Sequence, residues 1–240
     1  QEFSFEDEDE ESQQSANIIA TKAGESDLVI VVGAHYDSSD EGDGADDNAS
    51  AVAVMLAAAL AVKDSSTPYT LRFIAFGAEE NDLDGARAYV SQLEAGELAN
   101  IVYMINLDSL IAGEINYVYG DRGHGSLVDW LIADAQRAGL DLQTKAAGEL
   151  DDEDGTPCNC SDYSPFQAVG VPFVYFEATN WNLGAKDGMT QVDRSLGEDG
   201  AIRHTQYDRI ETIEQLFPGR IDAHLTLYLT LLVHALTQYP

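Results

Sequence analysis

Residues 28–62 read LVIVVGAHYDSSDEGDGADDNASAVAVMLAAALAV, and the fold is decided here. The opening LVIVVGA is an unbroken apolar, β-branched run of strand length, the pattern of a central strand covered on both faces. His35 and Asp37 follow it. An extended chain points residues i and i+2 to the same side, so this imidazole and carboxylate can act together at the strand's carboxyl end. The loop then carries Asp46, Asp47 and Asn48 to the mouth of an Ala-rich helix expected over about residues 48–63, apolar nearly all round and therefore buried. In open α/β sheets ligands bind beyond the carboxyl ends of the strands, where this segment puts its polar residues.

Two further strands end the same way. YTLRFIAF (69–76) runs into GAEE, which brings Glu79 and Glu80, and IVYMINL (101–107) runs straight into Asp108. A bland strand end would carry Gly, Asn or Ser turn residues. Three apolar runs ending in His, Glu or Asp instead predict one convergent acidic site. IRHTQYDRIE adds His204 from a polar loop before the closing helices, a loop able to return to the sheet edge. His124, in a Gly-rich turn, and His224 and His234, on the last helix, read as structural.

At 240 residues and 45% hydrophobic content, the chain can bury one large core. It is expected to form a single α/β domain over residues 1–240, with a mixed, mostly parallel central sheet and helices on both faces. A formal charge of −31 repels nucleic acid and anionic membranes and makes both poor partners. Only Lys22, Lys63, Lys145 and Lys186 supply ammonium groups, a balance that suits a halophilic protein, in which salt screens the self-repulsion. The melting temperature should accordingly rise between 0.1 and 1 M NaCl, as the Debye length shrinks from ~10 to ~3 Å. A flat or falling melting temperature would remove the salt-adapted reading. No sequence run reaches the ~18 apolar residues of a membrane span, and the chain opens with neither Met nor a signal-peptide pattern, as a processed form does. Cys158 and Cys160 stand one residue apart; a disulfide between them requires an oxidising compartment, while two thiolates alone fall short of a four-ligand zinc set.

In chain order, the acidic tract FEDEDEESQQ lies between QEFSF and the strand NIIATK and reads as a solvated hairpin loop. A helix is expected over about 83–93, with Gly96 just past its end. Strand 101–107 is followed by a β segment at 114–119 and a helix over about 126–138 stopped by Gly139. Residues 146–164 form a loop long enough to be functional. VGVPFVYFEA (169–178) is another buried strand, TNWNLGAKDGMTQVDRSLGEDGA a second long loop, and the closing helix, about 218–237, should bury Leu225, Leu229 and Leu232. Two long loops on one face of the sheet build a pocket.

HYDS, GADDNAS, GAEE, MINLDS and HTQYDRIE, in this order and spacing, resemble the metal-site motifs of the M28 family of zinc aminopeptidases. SDYSPFQAVGVPF and FEATNWNLGAKDGMTQ are similar to the branch of the alkaline-phosphatase isozyme-conversion aminopeptidase. The likeness runs from about Asn17 onward, and members usually carry more helix before QEFSF, so the chain is expected to begin inside the family's domain, without that amino-terminal helical extension. The resemblance implies two zinc ions bridged by Asp47, one also held by His35 and Asp108, the other by Glu80 and His204. Asp37 would fix the tautomer of His35 by accepting its other ring N–H. Glu79 would be the general base for a zinc-activated water that attacks an amino-terminal peptide bond. The sequence leaves a structural Ca²⁺ open.

Members often place a Tyr just before the last zinc-binding His to assist the oxyanion; here that position is Arg203, and Arg203, Tyr163 or another donor takes the task. Glu79 and Asp162 are candidates to hold the substrate's α-ammonium, and the acidic residues 149–154 to attract a basic first residue. The partner is thus a peptide or protein N-terminus, the site of action secreted, periplasmic or at the cell surface. A glutaminyl cyclase, commonly with one zinc, or a carboxypeptidase, which needs a cationic pocket, are the alternatives on this fold, and a non-catalytic binding domain would have lost ligands that are all present here.

Overall fold

The computed structural model describes residues 1–7, 9–145, 160–186 and 188–240. The apolar runs become strands β4 (Val29–His35), β5 (Thr70–Phe76), β6 (Ile101–Leu107) and β8 (Phe173–Thr179), every residue of β4 and β8 being buried. These four pair in parallel, and β3 (Ile18–Lys22) and β7 (Ile115–Gly120) close the two edges antiparallel, in the order β3-β5-β4-β6-β8-β7. From β4 the chain crosses to β5 on one side, and from β5 to β6 on the other. That reversal is the topological switch point beyond which ligands bind, and His35 is the last residue of β4.

Helices cover both faces, as the doubly buried strands require. On one face lie α1 (Ala51–Val62), α4 (Leu127–Ala138), α6 (Ile210–Leu216) and α7 (Arg220–Gln238), packed through Val54, Met55, Leu131, Tyr228 and Leu231. On the other lie α2 (Asp84–Ser91), α3 (Ala95–Asn100) and α5 (Ser164–Ala168), packed through Ala86, Tyr89, Leu98 and Phe166. Ser126 caps α4 by accepting from the Asp129 N–H, and Gly139 ends it in the left-handed conformation that glycine adopts without strain.

Several local expectations need correction. The hairpin expected about the acidic tract is present, but its second strand comes before NIIATK: Ser12–Ala16 form β2, paired antiparallel with β1 (Glu2–Glu6). Gly96 lies inside α3 rather than past a helix end, because a Glu94–Glu97 capping box starts a short helix there. On α7 the buried residues are His224, Leu227, Tyr228, Leu231, Leu232, Ala235 and Leu236, so Leu232 is core as expected while Leu225 and Leu229 are only half-buried.

The Ala-rich segment is not uniformly buried either. Leu56 and Leu60 are 56% and 67% exposed, because small Ala side chains let α1 pack on β4 and α7 through one face only. A π-helical turn, Ala45–Ser50, precedes α1, and the two together make 18 residues, Ala45–Val62, that match a membrane span by length and composition. Asp46 and Asp47 lie buried within that segment, which packs as a core helix of the sheet. Residues 146–159, including Glu149–Asp154 and Cys158, lie outside the described residues; Cys160 is disulfide-bonded.

His224 fills the structural part expected of it. It is buried on α7, and its Nδ1 lies 3.1 Å from the Leu110 carbonyl, so Nδ1–H donates. Burial, with Arg220 nearby, pulls its pKa from 6.5 down to about 4. A folded-state pKa below the unfolded value gives stability that is complete above the unfolded pKa and is lost as pH falls through the folded one. Relative to His224→Gln, the protein should therefore lose about 3 kcal/mol between pH 6.5 and 4, at about 1.4 kcal/mol per unit. Parallel urea melts of the two proteins would show this; a constant difference across that range would contradict it.

Candidate metal centre

Five side chains from five segments converge beyond the carboxyl ends of the strands. His35 ends β4, Asp47 lies in the π-helical turn, Glu80 follows β5, Asp108 follows β6, and His204 sits at positive φ in the loop before α6. His35 Nε2 is 3.1 Å from Asp47 Oδ1 and 3.7 Å from Asp108 Oδ1. His204 Nε2 is 3.0 Å from Asp47 Oδ2 and 3.1 Å from Glu80 Oε2. Asp47 thus turns one oxygen to each histidine. The result is two triads, His35–Asp47–Asp108 and Asp47–Glu80–His204, whose ligand atoms lie within 4.8 Å of one another in each. Glu79 stands beside the first, its Oε2 3.8 Å from His35 Nε2.

The electrostatics are those of a cation site. Burial disfavours a charged His35, yet Glu79, Asp108, Asp37 and Asp47 outweigh it and hold its pKa well above 6.5. Asp47 and Glu80 raise His204 to about 10. Burial acts against the charge of Asp47, but hydrogen bonding to His204 and His35 keeps it ionised far below the ordinary carboxylate range. Glu79 is pushed up by burial and by Asp162, Asp108 and Asp47, with His35 opposing, the direction needed for a group that must pick up a proton. Glu80 Oε1 and Asp37 Oδ1 are buried with no hydrogen-bond partner among the described residues, and buried orphan carboxylate oxygens are what a bound cation satisfies. Neutral imidazole and carboxylate oxygen are ordinary zinc donors. The donor set fits zinc, with Asp47 offering one oxygen to each triad.

Asp37 acts differently from the expectation. The His35 Nδ1–H donates to its backbone carbonyl at 3.0 Å, while its carboxylate is 3.7 Å away. That bond still fixes the tautomer, leaving the Nε2 lone pair for metal. The freed carboxylate accepts the Glu80 backbone N–H at 3.1 Å, so Asp37 positions ligands of both triads.

The ligand loops are tied together by buried polar residues that sequence reading missed. Asp46 accepts from the Ile111 and Ala112 N–H groups and from Gln191 Nε2, and Gln191 Oε1 in turn accepts from the Ile202 and Arg203 N–H groups. One relay therefore links the turn of Asp47 to the loops of Asp108 and His204. Asp208 accepts from the N–H groups of Asp46 and Asp47, and Ser161 donates to Asp108 Oδ2 at 2.7 Å. The SDYSP and HTQYDRIE motifs carried the last two as polar residues next to named candidates, a signal that had been available; the Asp46–Gln191 contact joins residues 145 positions apart and left none.

A cavity of about 190 Å³ opens on the centre, lined by Asp47, Glu79, Glu80, Asp108 and His204 and walled by Tyr175, Trp181, Met189, Cys160, Glu177 and Arg203. Arg203 reaches this wall, where its Nη1 bonds Glu177 at 2.8 Å and its Nη2 the Gly188 carbonyl at 3.0 Å. Tyr163 and Asp162 do not reach it. Tyr163 is buried against Phe173 with ring centroids 4.1 Å apart. Asp162 is fully buried, both its oxygens lacking a hydrogen-bond partner among the described residues, and burial raises its pKa well above the usual value.

The model of Peptidase family M28 matches residues 17–228. The chain is 30% identical over 228 residues to the alkaline phosphatase isozyme conversion protein of Escherichia coli (strain K12), covering 86% of this chain and 66% of that one. A zinc aminopeptidase structure from Bacillus subtilis superposes with a TM-score of 0.70 at 26% identity, over 95% of this chain and 52% of that one. A glutaminyl cyclase structure from an Acidobacteriales bacterium, at 20% identity and a TM-score of 0.66, shares the fold over 97% of this chain and 78% of its own. The chain thus spans less than two thirds of the isozyme conversion protein and about half of the aminopeptidase.

Proposed function

Because this chain belongs to peptidase family M28, we propose that it is a metal-dependent aminopeptidase, a hydrolase that releases the first residue of peptides or proteins at a pair of zinc ions bridged by Asp47. The observation that carries this reading is the division of Asp47: its two oxygens serve two separate triads. A cyclase with one metal would have no use for the second triad. A carboxypeptidase would need a free cation for the substrate's terminal carboxylate, whereas Arg203, the cavity's arginine, is paired with Glu177. A structural calcium ion has no such group of its own among the described residues.

Zinc bound at these ligands supplies a Lewis acid for the scissile carbonyl and lowers the pKa of water towards neutrality. The chain's own residues do the rest. His35, held by the Asp37 carbonyl, and Asp108, held by Ser161, keep their donor atoms aimed inward. Glu79 takes a proton from the attacking water as the new C–O bond forms, then gives it to the departing nitrogen as the C–N bond breaks. The burial and neighbouring carboxylates that raise Glu79 bring its proton affinity closer to what both transfers need. Glu79, which lines the cavity and belongs to neither triad, is also a carboxylate available to a substrate α-ammonium.

A basic first residue, expected from residues 149–154, rests on a segment outside the described residues. The described cavity wall supports an apolar first side chain, since its rings and Met189 are apolar and the carboxylate of Glu177 is neutralised by Arg203. A disulfide at Cys160 is in keeping with a secreted, periplasmic or cell-surface protein. Peptides that differ only in the first residue and its acetylation test the reading. Free Leu peptides should be cut faster than Arg peptides, and acetylated ones refused. Efficient cleavage of acetylated peptides would overturn the aminopeptidase assignment, and faster cleavage of Arg peptides would overturn the apolar pocket.

A further inference from the structure

We propose that Tyr175 is a catalytic residue of this site, its phenolic O–H donating to the carbonyl oxygen of the scissile bond as negative charge develops there. The inference rests on the aminopeptidase reading. Acyl transfer needs a donor placed where the oxyanion forms, and the donors on the cavity wall can be taken one by one. Trp181 Nε1–H donates to the Tyr119 hydroxyl at 2.6 Å, and that hydroxyl donates to Glu177 at 3.1 Å. Arg203 is bonded to Glu177 and to the Gly188 carbonyl, and its remaining Nε is buried rather than exposed at the wall. Cys160 is disulfide-bonded and His204 is directed at Asp47 and Glu80. Tyr175 alone lines the cavity with a hydroxyl that has no hydrogen-bond partner among the described residues, although the residue is only 3% exposed.

Such a group is unusual. A buried Tyr ordinarily spends its O–H on a partner, and leaving it unspent costs about 1–3 kcal/mol, so an open donor facing a cavity is one whose partner arrives with the ligand. Its place in the sheet is suitable. Tyr175 lies on β8 opposite Asn106 of β6, two residues before Asp108, and the backbone N–H of Asp108 bonds to the carbonyl of Phe176. Tyr175 and Glu177, two apart, share one face of the strand, and both line the cavity. The ring is clamped between Tyr119 and Tyr163, with centroids 5.5 and 5.2 Å away. A clamped ring holds its hydroxyl in place without reorganisation during the reaction, which is what makes an oxyanion donor effective. Burial and Glu177 keep the phenol protonated, hence a donor, throughout the working pH range.

Tyr175→Phe keeps the ring and removes only the hydroxyl. With zinc content unchanged, kcat on a free amino-terminal peptide should fall about 10²-fold, the scale of one lost oxyanion donor, with KM within a factor of about three. A phosphinic peptide that mimics the tetrahedral centre should bind the variant more weakly by the same factor in calorimetry, while a non-hydrolysable ground-state analogue binds as before. A kcat within threefold of wild type would overturn the proposal. So would a loss confined to KM, or one large for one first residue and absent for another, which would mark a specificity residue. If the wild-type protein itself releases no amino-terminal residue, the aminopeptidase reading fails first and takes this role with it.

Discussion

Glu79→Gln should leave both metals bound and lower kcat by at least ~10²-fold, within the 10²–10⁴ range that a positioned general base contributes. The substitution is nearly isosteric and removes no ligand, since the triads are built from His35, Asp47, Asp108, Glu80 and His204. Glu79 Oε2 sits 3.8 Å from His35 Nε2, beside the first triad rather than in it. Adjacent residues at a strand end point in different directions, so Glu80 can ligate while Glu79 faces the cavity. KM should change little, because the proton transfer belongs to the transition state. Near-normal kcat in the variant, with metal content verified, would remove the base assignment.

Asp47→Ala should be more severe, abolishing measurable turnover and emptying both sites of tightly bound metal. It removes the oxygen that faces His35 and the oxygen that faces His204 in one step. It also leaves two histidines among buried carboxylates without the charge between them, an unpaired arrangement that low dielectric makes costly. Glu80→Ala is the control: it touches only the second triad and should weaken one metal while the other stays. Metal analysis after gel filtration checks both, and a variant lacking Asp47 that still retained two equivalents would show that the carboxylate is not shared.

Four of the five candidate ligands, His35, Asp47, Glu80 and Asp108, were legible because each stands at the end of a buried strand or before a buried helix, where an ionisable residue contradicts the turn chemistry otherwise expected, while His204 stands in a polar loop. His35, Glu80 and Asp108 stand out against the apolar runs before them. The sheet followed from the same runs, whose lack of polar alternation implies cover on both faces. What was not legible depends on contacts distant in the chain. Asp46 reads like one more acid in an acidic protein, and only folding brings Gln191 to it. The bond from His35 to the Asp37 carbonyl rather than its carboxylate is a matter of loop path. Tyr175 lies in a run, FVYFEAT, that any pattern assigns to core, and nothing in that pattern tells a spent hydroxyl from an open one. An apolar-all-round pattern predicts burial on every face of α1, yet Leu56 and Leu60 are exposed; which face a small-residue helix buries is decided by its neighbours, β4 and α7.

The central claim is that the chain is a two-metal aminopeptidase built on a shared Asp47. The most direct test is to strip the protein with a chelator, titrate zinc back, and follow binding by calorimetry alongside release of the first residue from a free peptide. Two equivalents should bind per chain, activity should be absent before zinc is added and return as the ions bind, and an acetylated copy of the peptide should stay intact. Full activity in verified metal-free protein, or saturation of both binding and activity at a single equivalent, would contradict the account.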